Sequence, residues 1–384
     1  MRIVHIITRL IVGGAQENTL LSCERQRGRG HEVTLMTGPA LGPEGSLMEQ
    51  ACSGGYGVEV VDEMRRAILP VRDLGAYRQL VRRLGELGPD IVHTHSSKAG
   101  ILGRYAARRA GVKAVVHTIH GLAFTASTCG AVNWVYRVLE GRAAKVTTKI
   151  VCVADAMREQ SLAAGIGRTE QYVTVYSGME TEPFLRPAAP REEVRRSLGL
   201  TEEHVVVGTI ARLFHLKGHD DLLEASPELC ARFPQMRFLW VGDGILREGF
   251  ERRMKGMGLR DRFVLTGLVS PSRIPELAGA MDILVHPSRR EGLARALVQG
   301  QLAGKPVVAY DIDGNREGMV DGVTGFLIPP FDRVNFCRQM AVLVNGETMR
   351  RTMGEAGRAF ALGRFGADVM AEGLEQVYES ALRG

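Results

Sequence analysis

The sequence has no apolar run close to the roughly 18 residues that would span a bilayer. Its opening decapeptide, MRIVHIITRL, reads as a strand without a signal-type cleavage site, so a cytoplasmic location is expected. Cysteine is sparse. Cys23, Cys52, Cys129, Cys152, Cys230 and Cys337 form no CxxC pair and no metal-ligand spacing, which points to reduced thiols in the core. Neither GxGxxG nor GxxxxGK(S/T) occurs, which disfavours a nicotinamide dehydrogenase and a P-loop kinase. HExxH is absent, no DxD-type acidic pair that would demand a metal is evident, and neither a metal nor another cofactor is expected. With 45% hydrophobic and 24% charged residues, disorder, collagen and coiled coil are excluded. Glycine, by contrast, is plentiful, at 46 of 384 residues. In a chain of this composition the excess goes into tight strand-to-helix turns. The length exceeds what a single hydrophobic core sustains, so two lobes are expected.

Charge is distributed unevenly. Residues 1–180 carry 22 Lys+Arg against 16 Asp+Glu, whereas residues 181–384 carry 27 of each. Much of the excess falls on Arg65, Arg66, Arg72, Arg78, Arg82 and Arg83, then Arg104, Arg108 and Arg109, in stretches that read as surface helices. One reading is attraction to an anionic partner such as lipid headgroups or a phosphorylated acceptor. The plainer reading is a solvated arginine-rich surface. No nucleic-acid partner is expected.

Short β-branched runs alternate with amphipathic helical stretches along the chain. Strands are predicted over residues 2–8, 32–36, 58–61, 90–94, 113–118, 150–153 and 172–176. After a polar stretch bearing Pro183, Pro187 and Pro190 the pattern restarts, with strands over 204–210, 236–241, 263–265, 283–285, 307–309 and 325–328. Residues 332–382 read as helical. Strands alternating with helices imply parallel sheets covered on both faces. The expected fold is therefore α/β, with two doubly wound, Rossmann-like domains over residues 1–180 and 190–365 facing a central cleft. Ligands bind beyond the carboxyl ends of strands in such sheets.

Several residues at those strand ends carry chemistry. Gly13 and Gly14 follow the first strand and open a helix whose N–H groups favour a negative oxygen, or they only make a tight turn. Four histidines lie close in sequence: His93 and His95 in DIVHTHSSKAG, then His117 and His120 in VVHTIHGLAF. The i, i+2 pair faces one side of a strand and suits a metal, so a zinc hydrolase is a weighed alternative, and a hydrogen-bonded structural role is another. Ser97 and Lys98 follow on the same loop, where the lysine meets an anion or is simply solvated. In the second half, Arg212 and Lys217 lie five apart beyond a strand, a pattern that suits a diphosphate: Arg binds two oxygens and Lys acts as a point charge.

Taken in order, GGAQ, HTHSSKAG, HTIHG, ARLFHLKG, VGDG, LTGLVS, HPSRREGLARALVQGQLAGKPVVAYDIDG and DGVTGFLIPP resemble the family-four retaining glycosyltransferases of GT-B fold over essentially the whole chain. The resemblance implies that Arg212 and Lys217 grip a sugar nucleotide's diphosphate. It places Glu291, the first acid of an E-x7-E motif, on donor sugar hydroxyls, with the backbone of Gly292 and Leu293 nearby, and His120 on the transferred sugar. Gly13 and Gly14 would lie near the phosphates, Gly242 in the donor site, and Val269 where backbone meets the nucleobase. His95, Ser97 and Lys98, with the loop around 124–134, are expected on the acceptor side. The second acid of the motif is replaced by Gln299, whose amide offers one accepting oxygen where a carboxylate offers two. Ser177, Gly178 and Glu180 also depart from the family's usual residues. The helix at about 366–384 is expected to pack back on the first domain.

The implied activity is metal-independent transfer of a hexose-type sugar from a nucleotide diphosphate sugar. The acceptor would be lipid-linked or a cell-surface polysaccharide precursor, handled at the inner face of the membrane. A sugar-nucleotide epimerase or a phosphorylase of the same fold, and a non-enzymatic sugar-binding protein, are the alternatives.

Overall fold

The computed structural model describes residues 1–41, 45–122, 124 and 129–384. The chain divides into two compact units, Met1–Met179 with Ala367–Gly384, and Glu180–Gly366. The first unit is built on seven strands: β1 (Arg2–Ile7), β2 (Glu32–Thr37), β3 (Gly57–Val60), β4 (Ile91–His95), β5 (Ala114–Ile119), β6 (Lys149–Cys152) and β7 (Tyr172–Thr174). They form a parallel sheet in the order β3-β2-β1-β4-β5-β6-β7. The second unit has six: β8 (Val205–Ile210), β9 (Met236–Val241), β10 (Phe263–Leu265), β11 (Ile283–His286), β12 (Val307–Tyr310) and β13 (Gly325–Ile328). Their order is β10-β9-β8-β11-β12-β13, again parallel. Every predicted strand overlaps an observed one.

The central strands are buried on both faces, which is why they read as near-continuous apolar runs. In β1, Ile3, Val4, Ile6 and Ile7 have almost no exposure, and burying each contributes about 2 kcal/mol. Strand order reverses between β1 and β4 and between β8 and β11. Successive connections there leave to opposite faces and open a crevice at the carboxyl ends.

Helix Pro70–Leu87 starts on Pro70 at its first turn and stops at Gly88, whose φ of 52° only a glycine adopts cheaply. Helix Ala367–Arg383 presents Met370, Leu374, Val377, Tyr378 and Ala381 at helical spacing. This stripe shares a core with Ile3, Ile91, Val116, Val151 and Val175, so the last residues of the chain belong to the first unit.

Some expectations need correction. Arg104 does not lie on a solvated face: its Nη2 donates to Glu140 Oε2 at 2.5 Å and its Nε to Gly100 O at 2.8 Å. Ala99, Gly100, Gly103, Ala106 and Ala107 let helix Ser97–Arg109 sink onto its neighbours, and the long side chain is covered. Cys52 and Cys129 are exposed rather than in the core, while Cys23, Cys152, Cys230 and Cys337 are buried. The proline-bearing stretch contains helix Glu182–Leu185 and falls within the second unit.

A buried ion cluster fastens helix Arg191–Ser197 to this second sheet. Arg191 Nη2 donates to Asp282 Oδ1 and Arg195 Nη2 to Asp282 Oδ2, both at 2.6 Å, and the Val206 N–H donates to Oδ2 at 2.7 Å. Burial alone would raise the Asp282 carboxyl, but Arg191, the Val206 N–H and Arg195 lower it below its ordinary value. Asp282→Ala leaves the buried Arg195 guanidinium without its carboxylate and should destabilise the second unit by about 3 kcal/mol in urea unfolding. A carboxyl depressed by folding stabilises above its unfolded pKa and loses that contribution as pH falls through its folded pKa. The gap between wild type and variant should therefore close in acid. An unchanged unfolding midpoint at neutral pH would contradict the assignment.

Candidate active site

In the second unit three strand-end loops converge on one carboxylate. Lys217, on the loop after β8, places Nζ 2.6 Å from Glu291 Oε1. His286, the last residue of β11, donates from Nε2 to the same oxygen at 3.0 Å. The Glu291 backbone N–H donates to Asp313 Oδ2 at 3.1 Å, and Asp313 lies on the loop after β12. Side-chain exposure is 14% for Glu291 and 25% for Lys217, so this pair is less screened than a surface bridge. Burial pushes the Glu291 carboxyl up, but the hydrogen bond from His286 and the Lys217 charge more than offset it and hold the group well below the usual carboxylate range. Both contacts fall on Oε1, leaving Oε2 outside them. His286 Nδ1 is buried and has no hydrogen-bond partner among the described residues.

Backbone geometry fixes these loops. Gly218, at φ 73°, caps helix His219–Arg232, and a Cβ there would lie 1.8 Å from the Pro287 carbonyl oxygen. Gly242, at φ 137°, lies against the Ala211 carbonyl, which a Cβ would meet at 2.2 Å. Leu216 holds a left-handed φ of 69°, and its carbonyl accepts from the Arg289 N–H at 2.8 Å and from Ser288 Oγ at 3.2 Å. The loops after β8, β9 and β11 are thus interlocked main chain to main chain.

Arg212 lies on the same loop as Lys217. It is exposed, its guanidinium lies 4.8 Å from the Phe214 ring centre, and it has no carboxylate partner among the described residues. The expectation of two fixed positive charges is therefore revised to one unneutralised guanidinium and one ammonium shared with Glu291. Leu293 is buried and Gly292 half-buried. Val269 is half-buried on the loop after β10, and Gln299 is half-buried on helix Arg295–Leu302. Asp311-Ile312-Asp313 has DxD spacing, a pair that the sequence reading did not single out. Asp311 is committed to Arg316 and Asp313 to the Glu291 N–H.

In the first unit Gly13 has extended backbone and precedes helix Gly14–Gly28, whose first turn has no side-chain cap. Lys98 is neither solvated nor poised for an anion: Nζ pairs with Asp73 Oδ1 at 2.5 Å and donates to the Ala67 carbonyl. Ser96, at φ 61°, hydrogen-bonds Thr8 Oγ1 at 2.7 Å, and Ser97 opens the helix that follows. Of the loop around 124–134, residues 125–128 lie outside the described residues.

The four histidines do not act as one group. His117 turns to the other face and meets Thr94 Oγ1 at 2.9 Å. His93, His95 and His120 instead join His5 of β1, which stands in register with His93. His120 Nε2 lies 3.1 Å from His95 Nδ1, and His95 Nε2 lies 2.9 Å from His5 Nδ1. His5 Nε2 lies 2.7 Å from Gln26 Oε1. Gln26 Nε2 donates to Tyr378 Oη at 2.8 Å, which lies 2.7 Å from His93 Nδ1, and His93 Nε2 meets Thr118 Oγ1 at 2.6 Å. The ligand atoms of His5, His93 and His95 cluster within 4.8 Å, as a zinc site would require. Each of their six ring nitrogens already has a protein partner, however, and the set is buried without a carboxylate. Burial pushes His5 down to about 4, and holds His93 and His95 well below the ordinary value, so all three are neutral near pH 7.

Sequence reasoning missed His5, Gln26, Tyr378 and the roles of His286 and Asp313. His5 could have been found by noting that β1 and β4 are neighbours in a doubly wound sheet. Nothing in the sequence pointed to Gln26 or Tyr378.

The family model for group 1 glycosyl transferases matches residues 190–360, and that for the glycosyl transferase 4-like domain matches residues 13–178. Among relatives, EpsD of Bacillus subtilis, which carries a provisional glycosyltransferase name, is 31% identical over 343 residues, covering 86% of this chain and 88% of that protein. The UDP-Gal:alpha-D-GlcNAc-diphosphoundecaprenol alpha-1,3-galactosyltransferase of Escherichia coli is 29% identical over 353 residues, covering 91% and 89%. Among solved structures, Anabaena HepE in complex with UDP-glucose superposes with a TM-score of 0.83 at 24% identity, over 99% of this chain and 100% of that one. The chain belongs to this glycosyltransferase family, and its fold is GT-B.

Gly218→Ala should cost at least about 2 kcal/mol, from the left-handed φ and the clash with Pro287 together, and should detach Lys217 from Glu291. Thermal unfolding and transfer rate check this, and a variant matching wild type in both would show that the loops are not so interlocked.

Proposed function

We propose that the donor of this glycosyltransferase is a nucleotide diphosphate sugar, and that a hexose-type sugar passes with retention and without a metal to an acceptor that is lipid-linked or a polysaccharide precursor. The observation that carries the reading is the cationic loop after β8. Arg212, unneutralised among the described residues, shares it with Lys217, whose ammonium touches Glu291. A departing diphosphate gains negative charge, and two cations of different geometry stabilise it: the guanidinium grips two oxygens and the ammonium acts as a point charge. Glu291, kept ionised, accepts hydrogen bonds from sugar hydroxyls, and its Oε2 lies outside the contacts with Lys217 and His286. Following the resemblance, Gly13 and Gly14 lie near the phosphates, while Gly242, Val269, Gly292, Leu293 and Gln299 line the nucleotide side of the donor. His120 contacts the transferred sugar.

The printed names of relatives support the substrate class. The Escherichia coli protein is named for UDP-galactose and a diphosphoundecaprenol acceptor, and HepE was solved with UDP-glucose. A surface of the first unit supports peripheral contact with an anionic membrane from the cytoplasmic side. Ile68 and Val71 are 73% and 87% exposed, beside exposed Leu69, Leu74, Arg66, Arg72 and Arg78. Apolar side chains interleaved with arginines suit an anionic lipid interface. Among the described residues no helix is long and apolar enough to cross a membrane.

Arg212→Ala should lower turnover by about 10²- to 10³-fold with unchanged melting temperature, and Lys217→Ala should lower it as much while also lowering the melting temperature, because the half-buried Glu291 carboxylate loses its ammonium. A wild-type rate in either would remove its diphosphate role. In a thermal-shift panel of UDP-, GDP-, ADP- and dTDP-sugars, one nucleotide should stabilise the chain, by about 2.7 kcal/mol at a hundredfold excess over Kd. If product analysis finds epimer or sugar phosphate in place of glycoside, transfer is refuted. Sedimentation with anionic vesicles should fall as salt rises, and absent or salt-independent binding would refute the membrane contact.

A further inference from the structure

Four basic side chains meet at the end of the second sheet remote from Glu291. Asp282 immediately precedes β11, and the parallel register of Leu284 with Val307 sets Lys305, two residues before β12, beside it on the neighbouring strand. Both oxygens of Asp282 are taken by Arg191 and Arg195. Glu202, the other carboxylate at this end, reaches the same two guanidiniums, at 3.6 and 3.5 Å. Lys305 is left with neither. It is half-buried, and its Nζ makes no hydrogen bond or ion pair among the described residues.

The fourth basic group comes from helix Glu347–Arg364. Gly354 of that helix presses on the turn at residues 304–305, where a Cβ would lie 2.0 Å from the Gly304 carbonyl oxygen and 3.4 Å from the Lys305 backbone nitrogen. Gly304, at φ 70°, makes room in turn for Arg358: a Cβ there would lie 2.5 Å from its Nη2. Arg358 donates from Nε to the Leu302 carbonyl at 3.1 Å, and its two terminal nitrogens have no partner among the described residues. The cluster therefore holds more basic groups than its two carboxylates balance, and N–H donors without an acceptor. Burial first, then the Arg191, Arg195 and Arg358 charges, push the Lys305 ammonium down to about 7, and Asp282 offsets only part of this. An ordinary lysine is neutral at pH 7 in well under about a hundredth of chains.

We propose that Lys305 is a site of reversible carbamate formation: its neutral Nζ adds dissolved carbon dioxide, and the carbamate binds the terminal N–H groups of Arg358. The nitrogen lone pair attacks the carbon, one C=O pair moves onto oxygen, and the proton on nitrogen passes to water, so neither an oxidant nor an activated donor is needed. The cluster gains the anion it is short of. A carbamate is planar like a carboxylate and matches the guanidinium fork. The adduct ties the turn at 304–305 to helix Glu347–Arg364, so carbon dioxide stabilises the second unit.

The test is ¹³C NMR of the full chain in ¹³C-bicarbonate, joined to trapping with a trialkyloxonium salt and peptide mass spectrometry. Wild type should give a carbamate resonance and a trapped adduct on the peptide that contains Lys305. The resonance should be lost in Lys305→Met and fall at least about threefold in Arg358→Gln. It should also fade as pH drops below about 7, because protonation removes the lone pair. At constant ionic strength, bicarbonate should raise the melting temperature of wild type by about 2 °C or more and leave Lys305→Met unmoved. An adduct confined to the Met1 amine, or a resonance undiminished in Lys305→Met, would overturn the proposal. If inorganic phosphate raises the melting temperature and bicarbonate does not, the cluster is a site for a free oxoanion and the proposal is likewise overturned. Trapping reads Lys305 directly in wild type, so the decision does not depend on either variant folding.

Discussion

A carboxylate largely removed from water remains ionised at Glu291 because an ammonium and an imidazole N–H are held against it, and those two groups come from different strands. Lys217 can reach it only if the loop after β8 lies flat on the loop after β11, and Gly218 makes that approach possible by having no Cβ. His286 reaches it from the end of β11 itself, and Asp313 fixes the backbone from the loop after β12. The parallel sheet with its reversal of order between β8 and β11 is what brings three such loops to one place. Beneath it, Asp282 anchors the helix that enters the unit to the start of the same sheet.

The fold was legible because its strands are buried on both faces and cannot be mistaken for amphipathic ones: VVVGTI in β8 and RIVHII in β1 are nearly unbroken apolar runs. Strand-end residues were legible for the same reason, since chemistry in such sheets gathers at carboxyl ends. Partnerships between side chains were not. Spacing placed Arg212 and Lys217 on one loop but gave no sign that Glu291, 74 residues on, already holds the lysine. Arginine density marked a solvated face and could not reveal that a stripe of small residues draws Arg104 inside.

The histidines show the limit most clearly. Four lie near one another in sequence, yet alternation along β5 sends His117 to the opposite side, and the vacant place in the cluster is taken by His5 from the first strand. The remaining members, Gln26 and Tyr378, are separated by more than three hundred residues and meet only because the chain returns to its first unit at the end. Each unit thus carries its own polar centre. One is charged and built of strand-end loops; the other is neutral, buried and ordered by hydrogen bonds.

The charged centre makes the sharper demand on experiment, because Lys217 and Glu291 touch each other and are assigned to different parts of the donor. Isothermal titration of the nucleoside diphosphate alone, without its sugar, separates them. Lys217→Ala should weaken that binding at least about tenfold, as expected for loss of a charge-assisted contact. Glu291→Ala should leave it equal or tighter, since the ammonium is released, while weakening the intact nucleotide sugar. Equal losses in both variants for the sugar-free ligand, or no loss in Lys217→Ala, would contradict the division of labour between the ammonium and the carboxylate.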